Sequence, residues 1–236
     1  LEGDTVVAEY SLASGNIFTV RYTLLEGGIL SVESDFKGVK SSKPVDVPRI
    51  GFRMRLPASA DSFTYLGRGP EENYADRFGG TLIGEYSSSA SKEYVRYVRP
   101  QECGHHIDCE YLSIGGLAIR SDRFEFNVLR CAVEDLDSEE AVLRDYQWEN
   151  KGPLTENDPA KAKNRLRRQT HINDYVERDF VEVCVDYAQS GVGGYDSWAA
   201  RPDSDRCLWS DRDYSFRFAI VPARAMGVRK SLGFDF

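Results

Sequence analysis

Cys103, His105, His106 and Cys109 lie within seven residues, and cysteine and histidine are the ligand types zinc takes. Their spacing argues the other way. On extended backbone Cys103, His105 and Cys109 share one face while His106 points to the other. Structural zinc sites also join two pairs that are separated in sequence. These residues are therefore expected to pack and to hydrogen-bond, with no metal held. Glu71-Glu72 and Glu139-Glu140 are adjacent carboxylates, and neighbours on a strand face opposite ways, so neither makes an acid–base couple. Gly67-Arg68-Gly69-Pro70 lacks the continuation of a phosphate-binding loop, and no Gly-x-Ser-x-Gly elbow presents a nucleophilic serine. His105, His106 and His171 are the three histidines, and none sits beside an obvious glutamate motif. The chain offers no self-contained active site. What remains is Gly191-Val192-Gly193-Gly194-Tyr195-Asp196-Ser197-Trp198, an indole just after a glycine-lined bend. A ring so placed can stack on the apolar C–H face of a sugar while Asp196 or Ser197 bonds its hydroxyls. Ordinary packing of Trp198 in a core or loop is the alternative.

The elements that would position these residues are strands. Ile17–Leu24, then Glu26-Gly27-Gly28, then Ile29–Phe36 reads as a hairpin. From Arg49 to Leu56 the pattern alternates, with Ile50, Phe52, Met54 and Leu56 on one face and Arg53 and Arg55 on the other. Further strands are expected at Phe63–Leu66, Glu93–Val98, Ile107–Ile114, Leu117–Arg120, Phe124–Leu129, Val181–Ala188 and Tyr214–Val221. Short runs split by Gly, Pro, Asn and Asp clusters predict an all-β chain built as a large antiparallel β-sandwich. One polar segment, near 137–170, breaks the pattern with a short helical excursion. Its Lys161, Lys163, Arg165, Arg167 and Arg168 read as a solvated helix face.

Composition closes off several classes. The net charge of −8 over 236 residues argues against nucleic acid or an anionic membrane as partner. No apolar run approaches the roughly 18 residues of a spanning helix. Five cysteines over this length do not make a disulfide scaffold and are expected as buried thiols. Leu1 starts the chain without a signal-peptide pattern and reads as a cut inside a longer polypeptide.

Four blocks in order carry a resemblance. Gly67-Arg68-Gly69-Pro70-Glu71-Glu72-Asn73-Tyr74-Ala75-Asp76-Arg77 resembles the G-x-G-P-x-E-N-Y-x-D-R motif of glycoside hydrolase family 2 β-galactosidases, in their C-terminal small-chain domain. Tyr97–Glu102 is similar to the family's Y-x-x-P-Q-E block, Phe124–Asn127 to F-x-F-N, and Gly193–Trp198 to G-G-x-D-S-W. Cys103 stands where the family usually has Asn, and Tyr195 where it often has Asp.

The resemblance implies a supersandwich of the galactose mutarotase-like kind over 1–222, lacking the family domain's opening stretch, with a tail over 223–236. It implies hydrolysis of terminal β-galactosides by a retaining pair of Glu residues in a separate (β/α)₈ barrel. This chain has no Asn-Glu dipeptide and no barrel alternation, so no catalytic residue is expected here. The implied role is one wall of the pocket, with Trp198 stacking on the sugar and Gly193, Gly194, Asp196 and Ser197 shaping its loop. Glu72, Asp76 and Arg77 are expected as structural polar partners. No cofactor is expected in this chain; magnesium and sodium would belong to the barrel. The implied partners are the remaining domains of the parent, the galactoside and further copies of the full-length chain. Two other classes stay open: a free-standing carbohydrate-binding module, and a mutarotase-like epimerase, which needs a His acid and a Glu base in one cleft.

Overall fold

A computed structural model of the chain describes residues 4–98, 102–136, 173, 175–193 and 201–223. The strands are β1 (Thr5–Ser11), β2 (Ile17–Leu25), β3 (Ile29–Lys37), β4 (Asp46–Val47), β5 (Arg49–Pro57) and β6 (Ser62–Gly69). They continue as β7 (Leu82–Ser89), β8 (His105–Ile114), β9 (Leu117–Leu129), β10 (Phe180–Gln189), β11 (Leu208–Trp209) and β12 (Tyr214–Pro222). Short β4 and β11 pair with each other, and the other strands form one antiparallel sheet. The β2–β3 turn sits at Glu26–Gly28, where Gly27 and Gly28 take positive φ that a side chain would oppose.

The long strand β9 explains how one sheet closes into a sandwich. Its first residues, Leu117–Arg120, pair with β12, which leads on to β3, β2 and β1. Its last residues, Glu125–Leu129, pair instead with β10, which leads to β5. Between the two ladders Ser121 Oγ donates to the Arg217 carbonyl at 2.7 Å, capping the point where the arms part. The arms then lie face to face. Phe52 of β5 meets Phe18 of β2 at 5.9 Å between ring centroids and Phe218 of β12 at 5.2 Å. Val181, Val183 and Val185 join Phe124, Phe126, Leu112 and Tyr65 in the buried layer between them. Each such apolar side chain contributes about 1.5–3 kcal/mol on burial.

The alternation in β5 holds: Phe52, Met54 and Leu56 pack on the core, and Arg53 and Arg55 are exposed. Phe124–Leu129 and Leu117–Arg120 are one strand rather than two. Glu93–Val98 is not a strand. Its amides turn locally, Glu93 N to Ser89 O and Tyr97 N to Val95 O, and so join no ladder. Conversely β7, with Gly84 and a run of serines, lacks strand propensity but pairs with β6 from Leu82 to Ser89. The helical excursion expected near 137–170 lies outside the described residues.

Candidate functional site

The loop after β6 carries Glu72, Asn73, Tyr74 and Asp76, and each side chain has a definite partner. Glu72 accepts from Arg77 Nη2 at 2.6 Å, from the Gly104 amide at 2.7 Å and from the Tyr97 hydroxyl. Arg77 also lies over the Tyr74 ring. Asn73 donates through Nδ2 to the Arg68 and Glu71 carbonyls, both at 2.9 Å, and its Oδ1 accepts the Ile107 amide at 2.9 Å. That last bond fills a gap in β8. The strand bulges between His106, opposite Phe126, and Cys109, opposite Phe124, with Asp108 at φ 58°. Arg68 Nε and Arg123 Nη2 hold the Asp108 carboxylate at 2.9 and 2.6 Å.

The bulge corrects one expectation. An extra residue shifts the parity of β8, so Cys109 shares the face of His106 and not that of His105. Cys109 and His106 face Tyr65 and Phe126 in the main core, while Cys103 packs with Tyr94, Leu129 and Cys131. The four residues are split across the sheet as two and two. Burial pushes the Cys103 thiol up to about 12 and the Cys109 thiol well above its ordinary value, so both stay protonated. Among the described residues no three His, Cys, Asp or Glu side chains are grouped to hold a metal ion.

Both histidines of β8 do find glutamates, from 20 and 13 residues away in sequence. His105 Nε2 is 2.9 Å from Glu125 Oε2, and His106 Nε2 is 2.8 Å from Glu93 Oε2. The protonation of His105 follows from its neighbours. Asn127 donates its Nδ2 to Glu102 Oε1 and the Cys103 carbonyl, both at 2.8 Å, which turns its Oδ1 toward His105 Nδ1 at 2.7 Å. Both ring nitrogens therefore face acceptors, an arrangement that favours the protonated ring. Burial pushes its pKa down, but the hydrogen bond and charge of Glu125 outweigh this and raise it. Arg49 completes the network through Nη2, which donates to Asn127 Oδ1 at 2.7 Å and to the buried Asp186. Burial raises the Asp186 pKa against the pull of Arg49. Each histidine is wholly buried, so neither ring is presented to a cleft as a mutarotase acid must be.

Asp76 reaches a distant stretch of chain. Its carboxylate accepts the Val192 amide at 3.2 Å and the Gly193 amide at 2.8 Å. Gly191 donates its own amide to the Arg206 carbonyl at 2.8 Å, and Arg206 Nη1 returns to the Ala75 carbonyl at 3.2 Å. Gly193 is the last described residue of this stretch. Gly194, Asp196, Ser197 and Trp198 lie outside the described residues.

A family model described as beta galactosidase small chain matches residues 2–220. The chain belongs to the beta-galactosidase small-chain family. It is 29% identical over 222 residues to the beta-galactosidase of Priestia megaterium, covering 93% of this chain and 19% of that protein. With the beta-galactosidase of Actinobacillus pleuropneumoniae it shares 26% over 214 residues, 89% of this chain and 18% of the relative. With that of Alteromonas mediterranea it shares 30% over 184 residues, 75% of this chain and 14% of the relative. The small chain thus spans less than a fifth of the length of these relatives.

The blocks that carry the family resemblance meet through direct hydrogen bonds in this small chain. Glu72 of the first block bonds Tyr97 of the second, and Glu102 of the second bonds Asn127 of the third. Asp76 of the first bonds Gly193 of the fourth. Glu72, Asp76 and Arg77 are polar partners, as the sequence leads one to expect. Arg49, Asp186 and the two His–Glu pairs were not visible in it as site residues. The sequence assigns Arg49 no role beyond opening a strand, and its side chain is only 18% exposed.

Proposed function

We propose that this chain is the C-terminal domain of a β-galactosidase that hydrolyses terminal β-D-galactosides. In it the small chain supplies one wall of the sugar pocket, and Trp198 stacks on the sugar in the leaving-group or acceptor position. Both catalytic glutamates of the retaining pair belong to a separate barrel, which would also hold any magnesium or sodium. The remaining domains of the parent, the galactoside and, at full length, further copies of the chain are its partners. The observation that supports this reading is the meeting of the four blocks. Residues far apart in sequence are spent on holding Val192 and Gly193, the backbone that leads into Gly194 and Trp198.

The test is acceptor binding in the full-length enzyme. A sugar stacked on an aromatic face gains about 1–1.5 kcal/mol, so Trp198→Ala should weaken glucose binding at the acceptor position by about tenfold. Galactose held deeper in the barrel should be affected less, and Trp198→Leu should recover little because it lacks a flat face. Unchanged acceptor affinity with a large loss of stability would make Trp198 a packing residue.

A further inference from the structure

The inner face of the arm formed by β12, β3, β2 and β1 loses its cover step by step toward β1. Cross-strand register sets Phe218, Val32, Tyr22 and Val6 in one row, and Phe36, Phe18 and Tyr10 in another. Directly paired residues point to the same side of a sheet, so both rows lie on the core face. Along the first row Phe218 and Val32 are 1% and 2% exposed, Tyr22 is half-buried and Val6 is 48% exposed. Along the second, Phe36 is buried, Phe18 is half-buried and Tyr10 is 50% exposed. Ala8 lies between Val6 and Tyr10 on this face and is half-buried.

The opposite arm ends too soon to cover these side chains. Phe52 of β5 has ring centroids of Phe216, Phe218 and Phe18 at 6.5, 5.2 and 5.9 Å, which puts β5 above the stretch from β12 to β2. On one side β5 pairs with β10, and among the described residues no strand pairs with its other side. Its core-facing Phe52, Met54 and Leu56 are accordingly only half-buried. Strands in a sheet lie about 4.8 Å apart, and packed sheets about 10 Å. One further strand beside β5 would therefore lie over β2 and β1 and close the seam. A strand added to the outer edge of β1 would instead leave Val6, Ala8 and Tyr10 open on the inner face.

We propose that the free edge of β5 and the inner face of β1 form the docking site for one extended segment of the parent polypeptide, from outside this chain. The unpaired N–H and C=O groups along β5 are satisfied by a strand, and Val6, Ala8 and Tyr10 take apolar side chains at its alternate positions. Arg53 and Arg55 stay partly exposed on the outer face of β5 beside Glu182, so carboxylates suit the positions between. The same arginines disfavour a second copy of this chain, because antiparallel pairing of β5 with itself about Met54 sets Arg53 against Arg55 twice. The small chain spans less than a fifth of its relatives, so most of such a polypeptide lies outside it. This rests on the reading of the chain as one domain of a longer β-galactosidase and adds a contact between that domain and the rest.

The experiment is hydrogen exchange on the full-length enzyme, resolved to single amides across β5. A strand with one neighbour protects alternate amides, and a strand paired on both sides protects consecutive ones. Consecutive slow amides from Ile50 to Leu56 are expected, and an alternation of fast and slow would overturn the proposal. Lysine substitutions read the same seam from the other arm. Val6→Lys and Tyr10→Lys should each lower the melting temperature of this domain in the full-length enzyme by at least about 2–4 °C, the scale for its size. Val7→Lys, on the other face of β1, should change it little. Equal effects at the three positions would overturn the proposal. In the separate chain β5 should return to alternating protection. Consecutive protection that appears there together with a dimer in sedimentation would make a second copy the occupant, which also overturns it. A full-length polypeptide that protects β5 but hydrolyses no galactoside would take down the functional reading and still support the docking site.

Discussion

His105 Nε2 lies 2.9 Å from Glu125 Oε2 with both side chains buried, and its Nδ1 faces the Asn127 carbonyl oxygen at 2.7 Å. These acceptors favour the protonated ring, and that makes the fold sensitive to pH in a definite direction. The folded pKa is raised above the ordinary value near ~6.5. The folded chain therefore binds this proton more tightly than the unfolded chain. Its contribution is fully present below about pH 6.5 and is lost as pH rises through the folded value.

Urea unfolding of the wild type and His105→Gln across neutral and mildly alkaline pH reads this out. The stability advantage of the wild type should be constant on the acid side and should shrink as pH rises. Carboxylates remote from His105 are common to both proteins and drop out of the comparison to first order, whereas Asp186, whose pKa the charge of His105 lowers, changes with it. An advantage that does not change with pH would mean the ring is neutral in the fold.

Asn73 holds the β8 bulge closed. Its side chain satisfies the Ile107 amide in a buried bond and two carbonyls in partly buried ones. Asn73→Ala leaves these groups without a partner, at a cost of about 1–3 kcal/mol each where water cannot enter. Asn73→Asp keeps the acceptor for Ile107 but turns an oxygen toward the Arg68 and Glu71 carbonyls, so it should also destabilise. Denaturant midpoints at constant m-value would check both. A midpoint unmoved in Asn73→Ala would show that the bulge stands without it.

How much of this the sequence carries depends on the range of each interaction. The β2–β3 hairpin and the alternation of β5 are written in neighbouring residues, and both are legible. The edge strand β7 is not, because pairing with β6 overrides the weak propensity of Gly84 and its serines. The same holds at the site. Asp76 and Glu72 read as polar partners, but the carboxylate of Asp76 finds Gly193 only through the fold. The His105–Glu125 pair depends on cross-strand register, and one bulge at Asp108 decides which face Cys109 takes. A period of two cannot foresee an inserted residue.

That bulge sharpens the expectation about zinc. With Cys103 and His105 on one side of the sheet and His106 and Cys109 on the other, four ligands cannot converge tetrahedrally. Elemental analysis of the purified chain should find well under one zinc per molecule. Stoichiometric zinc that disappears in a Cys103→Ala/Cys109→Ala variant would require the strand to rearrange around the metal, and would overturn the register described here.

The isolated chain should not hydrolyse a chromogenic β-galactoside. A retaining glycosidase needs two carboxyl groups about 5 Å apart, one able to protonate the leaving group and one free to attack the sugar. Among the described residues the buried carboxylates are already engaged. Glu125 is bound to His105 and to the Gln189 amide, and Glu93 to His106. Glu182 is held by Arg53 and Arg55, both at 3.1 Å, and by the Val133 amide at 3.0 Å. Asp186 sits on Arg49, wholly enclosed. A carboxylate clamped in this way is a poor nucleophile, and no sugar ring can reach it. The same enclosure predicts no anomerisation of galactose, since His105 and His106 are equally out of reach. Turnover assays on repurified chain, with a galactose titration and a mutarotation assay alongside, would separate the three readings of the sequence. Hydrolysis that survives repurification and is lost in Glu125→Gln would place an active site inside this chain. Tight galactose binding without turnover would favour a free-standing sugar-binding module. Silence in all three assays, with activity in the full-length enzyme, is the expected result.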